Sequence, residues 1–396
     1  MIREQAPGKL FIAGEYAVVQ PGEPSVLVAV DRYVSVELTP ASDQGSISSD
    51  QFGRAPLLWT RGADGVVIDQ DHRPYDYVLA AITVVEQLAA ERAVAGRFYD
   101  IRISSELDDV SGRKFGLGSS AAVTVATVRA LNRFYELELT ALEIYKLALI
   151  ATVRVSPASS GGDLAASVFG GWIAYSAPDR AEVAAQTAIV GVQAMLDRAW
   201  PHLAVRRLPA PAHLRLIVGW TGHPASTERM VGDLQRAWPA GQAQSGQAQS
   251  DQAQSGQARS GQAQYRRFLA DSRAAVESLI AALEGQDAAA AASAVRAART
   301  ALGDLSRHAG IQIETAQLAA LCDIAQDAGA AAKSSGAGGG DCGIVLAGGD
   351  TDVHGMLARW EQNDIRHLAI EVHSSDEESE GDARIGTIPE PERSDP

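Results

Sequence analysis

The chain is 396 residues long, 46% hydrophobic and 21% charged, with a formal net charge of −15 at pH 7. That is a globular composition with length for two or three domains, and its acidity disfavours a nucleic-acid backbone as main partner. Two cysteines, no run of eighteen apolar residues and no apolar leader in MIREQAPGKLF disfavour a disulfide scaffold, a membrane span and secretion, so a soluble, cytoplasmic protein is expected.

Along the chain, residues 8–38 alternate as strands do around a turn: KLFIAGEYAVV, then QPGEP, then SVLVAVDRYVSVEL. Helical spacing covers 75–95, and alternation makes FYDIRISSEL a strand. The loop DDVSGRKFGLG leads into a helix over 119–136. Another helix, over 140–152, starts at Thr140 with Glu143 completing a capping box. SPASSGGDLAASVFGG precedes the strand GWIAYSA. This mixture of hairpin-like strands and helices predicts an α+β fold rather than a βαβ series. A second unit is expected from 206, where RRLPAPAHLRLIVGWTG gives a proline-bounded entry into a strand. Ala-rich helices fill 265–332, CGIVLAG is a buried strand, TDVHGMLARWEQN a helix and RHLAIEV a last strand. The pentapeptide repeat of 241–264 has no hydrophobic period and predicts a solvated loop between helices. Residues 374–396 carry eight acids and two arginines and predict a disordered tail. The expected units are therefore 1–205, 206–373 with the 241–264 insertion, and 374–396.

Positive charge is distributed unevenly by type: thirty arginines against four lysines. Lys9, Lys114 and Lys333 stand at the edges of the glycine-rich segments APGKLFIAGEY, GRKFGLGSSAA and AAAKSSGAGGGDCG, whereas Lys146 is expected on a helix surface. An ammonium is a compact point charge, suited to a phosphoryl oxygen or a place beside a carboxylate. GLGSSA and GGGDCG both match dinucleotide fingerprints formally, but neither follows a strand directly, as that motif requires. No Walker A sequence occurs. What GLGSSA supplies is the chemistry of an anion site. Gly116 and Gly118 let the backbone turn its N–H groups inward, and Ser119 and Ser120 open a helix whose orphan donors favour negative charge. A plain serine N-cap after a glycine turn is the alternative. Asp163, after two glycines, is either a helix cap or a carboxylate presented to a substrate. Four glycines within residues 336–340 carry a high entropic cost and point to close backbone approach to a ligand.

In this order, the segments resemble the motifs of the GHMP kinases. PGKLFIAGEYAVV is similar to the first motif, GLGSSAAV to the second, the phosphate loop, and KSSGAGGGDCG to the third. Within the superfamily, GEYAVV with Tyr16, KFGLGSSAAVTVATVRALN, SGGDLAASVFGGWIAY, GWTGHPAST and SGAGGGDCGI resemble the members acting on 5-phosphomevalonate. The resemblance covers roughly 5–235 and 265–350. It implies an N-terminal domain like the second domain of ribosomal protein S5 and a ferredoxin-like C-terminal domain. It also implies ATP-dependent conversion of 5-phosphomevalonate to 5-diphosphomevalonate, on the mevalonate route to isoprenoids.

The resemblance assigns residues as well. Lys114, Gly116, Leu117, Gly118, Ser119 and Ser120 take nucleotide-phosphate positions, with Ser120 also on Mg²⁺. Asp163 takes the position of the acid that receives or orients the acceptor's proton, and Lys9 that of the lysine beside it. Acceptor contacts would come from Lys9, Glu15, Tyr16 and Gly162, from Ser226 and Thr227, and from Lys333, Gly336, Ala337 and Gly338. The metal-binding glutamate that mevalonate kinases carry upstream of the acid has no counterpart here. Its position falls near Thr152, which leaves Mg²⁺ to Ser120 and the phosphates. A monomer or homodimer without nucleic-acid or membrane partners is implied. Another kinase of the superfamily, such as a mevalonate kinase, or an inactive nucleotide-binding module are the alternatives.

Overall fold

The computed structural model describes residues 1–51, 55–62, 65–68, 75–109, 111–224, 227–237 and 254–373. Ser226, the first part of the repeat (241–253) and the expected tail from 374 lie outside the described residues.

The first half builds strands β1 (Ile2–Ala13), β2 (Pro24–Ala41), β3 (Gly45–Ser49), β4 (Leu57–Gly62), β5 (Gly65–Ile68), β6 (Phe98–Ser105), β7 (Trp172–Ser176) and β8 (Ala204–Leu208). Its helices are α1 (Asp76–Glu91), α2 (Ser119–Tyr135), α3 (Ala141–Val155), α4 (Gly162–Phe169), α5 (Arg180–Val190) and α6 (Val192–Asp197). The strands form one sheet in the order β5-β4-β3-β6-β2-β7-β8, with β1 also on β2. Because β2 is central, its SVLVAV run is wholly buried, and its one polar side chain, the Ser25 hydroxyl, donates to the Tyr175 carbonyl at 3.1 Å. Helix α2 lies across β1 and β2 through small buried residues, among them Ala122, Val125 and Ala126. Such side chains let helix and sheet approach closely.

The second half adds β9 (Arg215–Trp220), α7 (Thr227–Ala237), α8 (Gln254–Glu284), α9 (Ala288–Ala309), α10 (Ala316–Asp327), β10 (Ala331–Ser334), β11 (Cys342–Ala347), α11 (Val353–Glu361) and β12 (Arg366–Leu368). Its sheet is antiparallel, in the order β10-β11-β9-β12. Val276 and Leu279 of α8 and Val295 of α9 share a continuous core with β1 and β2, so the halves are packed together. After β12 the chain returns to the first sheet: the Asp31 N–H donates to the Glu371 carbonyl, and the His373 N–H to that of Ala29, both at 2.9 Å. No helix among the described residues is long and apolar enough to cross a membrane.

The α+β expectation holds, and α1, β6, α2, α3, β7, β11 and α11 fall where periodicity put them. The Thr140–Glu143 capping box is formed reciprocally. Differences have physical causes. KLFIAGEYAVV is a strand only to Ala13, because Gly14 (φ +94°) and Tyr16 (φ +63°) turn the chain into a short 3-10 turn at Ala17–Val19. The expected unit boundary at 205/206 falls inside β8, which pairs with β7 of the first sheet. Residues 254–264 of the repeat are helical rather than loop, since Gln- and Ala-rich sequence readily extends a helix already nucleated by the buried stretch that follows. Lys146 is buried, not on the surface; its ammonium donates to the carbonyls of Leu196 (2.7 Å) and Arg198 (2.6 Å). RHLAIEV pairs in the second sheet only over Arg366–Leu368, and Val372 bridges to Val30 instead.

Replacing Thr140 by Ala removes one half of the capping box at α3 and is expected to lower the unfolding free energy by about 1 kcal/mol, read from urea denaturation.

Candidate functional site

The loop after β6 folds back on itself, with the Phe115 N–H donating to the Leu107 carbonyl at 3.1 Å, and delivers the chain to two left-handed glycines. Gly116 has φ +83°, and a Cβ there would lie 2.5 Å from Asp341 Cγ. Gly118, at φ +81°, is itself the N-cap of α2 and makes no side-chain cap bond. The serine N-cap is therefore not what forms. Ser119 and Ser120 are the first two helical residues, one step past the cap, and both line a cavity of about 470 Å³. The first-turn N–H groups of an α-helix have no intrahelical acceptor, so this end offers donors and positive potential to an anion. Lys114 and Leu117 line the same cavity.

Asp163 enters from α4. Gly161 caps that helix at φ +77°, where a Cβ would lie 2.9 Å from the hydroxyls of Tyr145 and Tyr175. Asp163 is thus the helix's second residue and not its cap. Its carboxylate Oδ2 lies 3.4 Å from Lys9 Nζ, with the lysine side chain 7% exposed and the acid 36%. The Lys9 ammonium also lies 5.2 Å from the centre of the Phe11 ring. Backbone closes around it. The Lys9 N–H donates to the Leu117 carbonyl at 2.9 Å, a contact Gly8 permits because a Cβ there would be 2.9 Å from the same oxygen. At Gly118 a Cβ would sit 3.0 Å from Lys9 Cε, and at Gly336 it would sit 4.0 Å from Lys9 Nζ. All three glycine-bearing segments meet at Lys9.

The third segment is joined to the first by side chains. The Ser335 hydroxyl accepts from the Phe11 N–H (3.0 Å) and donates to the Phe11 carbonyl (2.9 Å). The Tyr16 hydroxyl donates to the Ala337 carbonyl at 2.5 Å. Burial, with Glu15 adding to it, pushes the Tyr16 phenol well above its ordinary range, so it stays protonated and a donor. Tyr16 occupies φ +63°, ψ −45°, with the Ala17 N–H donating to the Glu15 carbonyl at 2.7 Å. That is the rarer, positive-φ γ-turn, a strained conformation held by its surroundings. Glu15, Tyr16, Gly336 and Ala337 all line the cavity.

Several expected positions lie elsewhere. Lys333 is fully buried and pairs with Glu15, so its charge is already met and it does not line the cavity. Gly338 packs against Ile313, whose carbonyl oxygen would be 2.2 Å from a Cβ. Gly162 packs onto Phe11 and Leu27 and is not among the residues lining the cavity. Thr227 begins α7, which reaches the cavity through Val231; Ser226 is outside the described residues.

Among the cavity-lining residues not assigned a role from the sequence are Asp341 and Thr152. Asp341, from the loop before β11, lies against Gly116 and lines the cavity; an acid after consecutive glycines, the feature that singled out Asp163, is its sequence signal. Thr152 lines the cavity, and its buried hydroxyl has no hydrogen-bond partner among the described residues. Among the described residues no group of three or more His, Cys, Asp and Glu could hold a metal alone. The cavity-lining side chains that could ligate a cation, among them Ser119, Ser120, Thr152, Asp163 and Asp341, all offer oxygen, the ligand atom Mg²⁺ takes.

Residues 76–171 match the family model for the GHMP kinases N terminal domain, and residues 279–365 that for the GHMP kinases C terminal region. The chain is 45% identical over 385 residues to the phosphomevalonate kinase of Streptomyces sp. (strain CL190), covering 93% of this chain and 96% of that one. Among solved structures, a Lin0012 protein from Listeria innocua aligns with TM-score 0.82 at 31% identity, covering 93% of this chain and 97% of the other. The Streptococcus pneumoniae phosphomevalonate kinase in complex with phosphomevalonate and AMPPNP aligns with TM-score 0.78 at 28% identity, over 94% of this chain and 100% of that one.

Gly118→Ala adds a strained φ and crowds Lys9. It is expected to lower kcat by about 10- to 100-fold, while the thermal midpoint falls by about 5 °C or less. Steady-state kinetics alongside a melting curve check both.

Proposed function

The chain belongs to the GHMP kinase superfamily, and from that membership we propose that it transfers the γ-phosphoryl group of ATP to 5-phosphomevalonate, giving 5-diphosphomevalonate and ADP. The observation that carries the reading is the Lys9–Asp163 pair, 3.4 Å apart, in one cavity with the open N-terminal turn of α2. Phosphoryl transfer asks chiefly for alignment and for stabilisation of charge on the transferred group. The N–H groups of the α2 turn and the hydroxyls of Ser119 and Ser120 receive the nucleotide phosphates, with Lys114 at the rim. Lys9, held between Asp163 and the backbone of Gly118, meets the charge that builds on the oxygens of the transferring group.

The acceptor's chemistry narrows the role of Asp163. A phosphate monoester loses its second proton near pH 6, so the attacking oxygen is largely deprotonated at neutral pH. That oxygen forms its bond to the γ-phosphorus as the bond to the bridging oxygen of ADP breaks, and no proton has to be removed first. Asp163 then acts mainly by orienting Lys9, and takes a proton only from the minor monoanionic form. Glu15, Tyr16, Gly336 and Ala337 face the acceptor side. Ser120 and the phosphates would hold Mg²⁺ here, and the bound ion would supply neutralisation of phosphate charge. The two free cysteines, both buried, support a cytoplasmic enzyme.

Coupled ADP release measured with mevalonate and with 5-phosphomevalonate tests the assignment. Turnover is expected with the phosphorylated acceptor, and turnover confined to mevalonate would replace this reading by that of a mevalonate kinase. Asp163→Asn is expected to lower kcat by about 100-fold or more while nucleotide binding, followed by fluorescence titration, is retained. Near-normal rates in that variant would remove Asp163 from the mechanism.

A further inference from the structure

Lys333 and Glu15 are separated by 318 residues, belong to β10 and to the turn after β1, and form an ion pair that is sealed from water, with side-chain exposures of 0% and 3%. Lys333 Nζ donates to Glu15 Oε1 and, at 2.6 Å, to the Ser334 carbonyl. Glu15 uses only one oxygen in this way. Its Oε2 is buried and has no hydrogen-bond partner among the described residues, yet Glu15 lines the cavity. Such a pair is a poor means of stabilising a fold, since an apolar pair of similar volume commonly does as well or better. A carboxylate oxygen held without a donor is costlier still unless a ligand provides one.

The surroundings narrow what that ligand group is. The neighbouring contacts, Phe11 with Ser335 and Tyr16 with Ala337, hold the two segments in register on either side of the pair. Glu15 is thereby held at a fixed place on the cavity wall, with Oε2 the one carboxylate oxygen left for a donor. A carboxylate oxygen rejects other anions and accepts from a donor. On 5-phosphomevalonate the carboxylate and phosphate are anionic at neutral pH, and the tertiary 3-hydroxyl is the remaining strong donor.

We propose that Lys333 is a positioning residue, which holds Glu15 through Oε1 so that Oε2 accepts a hydrogen bond from the acceptor's 3-hydroxyl. Lys333 does not touch the acceptor's phosphate. This rests on the acceptor assigned above. It makes Glu15 a specificity-determining residue and Lys333 the group through which that specificity is set.

The test compares 5-phosphomevalonate with its 3-deoxy analogue in the full-length enzyme, using ADP release for kcat/KM and fluorescence titration for nucleotide binding. In the natural protein, loss of the hydroxyl is expected to lower kcat/KM by about 30-fold, because Glu15 Oε2 is left buried and unpaired. In Lys333→Met this discrimination is expected to fall to about 3-fold or less with nucleotide affinity unchanged. Should that variant fail to fold, Glu15→Met combined with Lys333→Met removes both charges and is expected to fold and to show the same loss of discrimination. Full discrimination in either variant overturns the proposal, as does equal use of both acceptors by the natural protein. No turnover of 5-phosphomevalonate by the natural protein would instead sink the functional reading on which it rests.

Discussion

One buried ammonium, that of Lys9, constrains the architecture of the cavity. It is nearly sealed from solvent beside Asp163 and an aromatic ring, and two separate backbone turns, at Gly118 and Gly336, pass close to it. A charge taken out of water is tolerated only when its partners are fixed in place. Glycine is required at 8 because a Cβ there would lie 2.9 Å from the Leu117 carbonyl oxygen, and at 118 because the backbone turns through φ +81°. The same close packing places a cation, a carboxylate and the donor-rich end of α2 in one cavity without waiting for substrate to assemble them. For the proposed transfer that arrangement amounts to electrostatic preorganisation, with donors aimed before charge develops.

Holding the cavity closed on its far side is a different problem, because its third wall comes from residues more than 300 positions away in the chain. The halves share apolar core through α8 and α9, which fixes them grossly. Finer placement is polar: Ser335 on the Phe11 backbone, Lys333 on Glu15, and Tyr16 on the Ala337 carbonyl. These bonds also hold the strained turn at Tyr16, whose conformation would relax without partners on both sides.

The legible parts of this site were those marked by local chemistry. Glycine next to lysine, serine or acid stood out in Lys9, Gly116, Gly118, Ser120 and Asp163 because such combinations have few purely structural uses. The same reasoning misjudged other residues. Scarcity of lysine singled out Lys333 as a ligand-facing cation, but a residue type does not reveal which way its side chain points, and here a carboxylate from the other end of the chain receives it. Lys146 sits in an ordinary helical pattern and is nonetheless buried, because two carbonyls near Leu196 and Arg198 are close enough to accept its protons. Ser119 looked like a cap, yet the left-handed residue that ends the turn is Gly118, and the helix starts one position later.

The sequence by itself determined the mixed α+β character, most element positions, the capping box at Thr140 and the three turns whose glycines permit left-handed or tightly packed backbone. Those are short-range properties, decided by periodicity and by what a single residue's dihedral angles allow. Only the tertiary structure decided that the turns converge on Lys9, that Asp341 packs against Gly116, and that Lys333 neutralises Glu15 instead of facing the cavity. Each of those outcomes is a contact between segments far apart in the chain. Its energy depends on distance and burial, neither of which exists until the sheets and helices have packed.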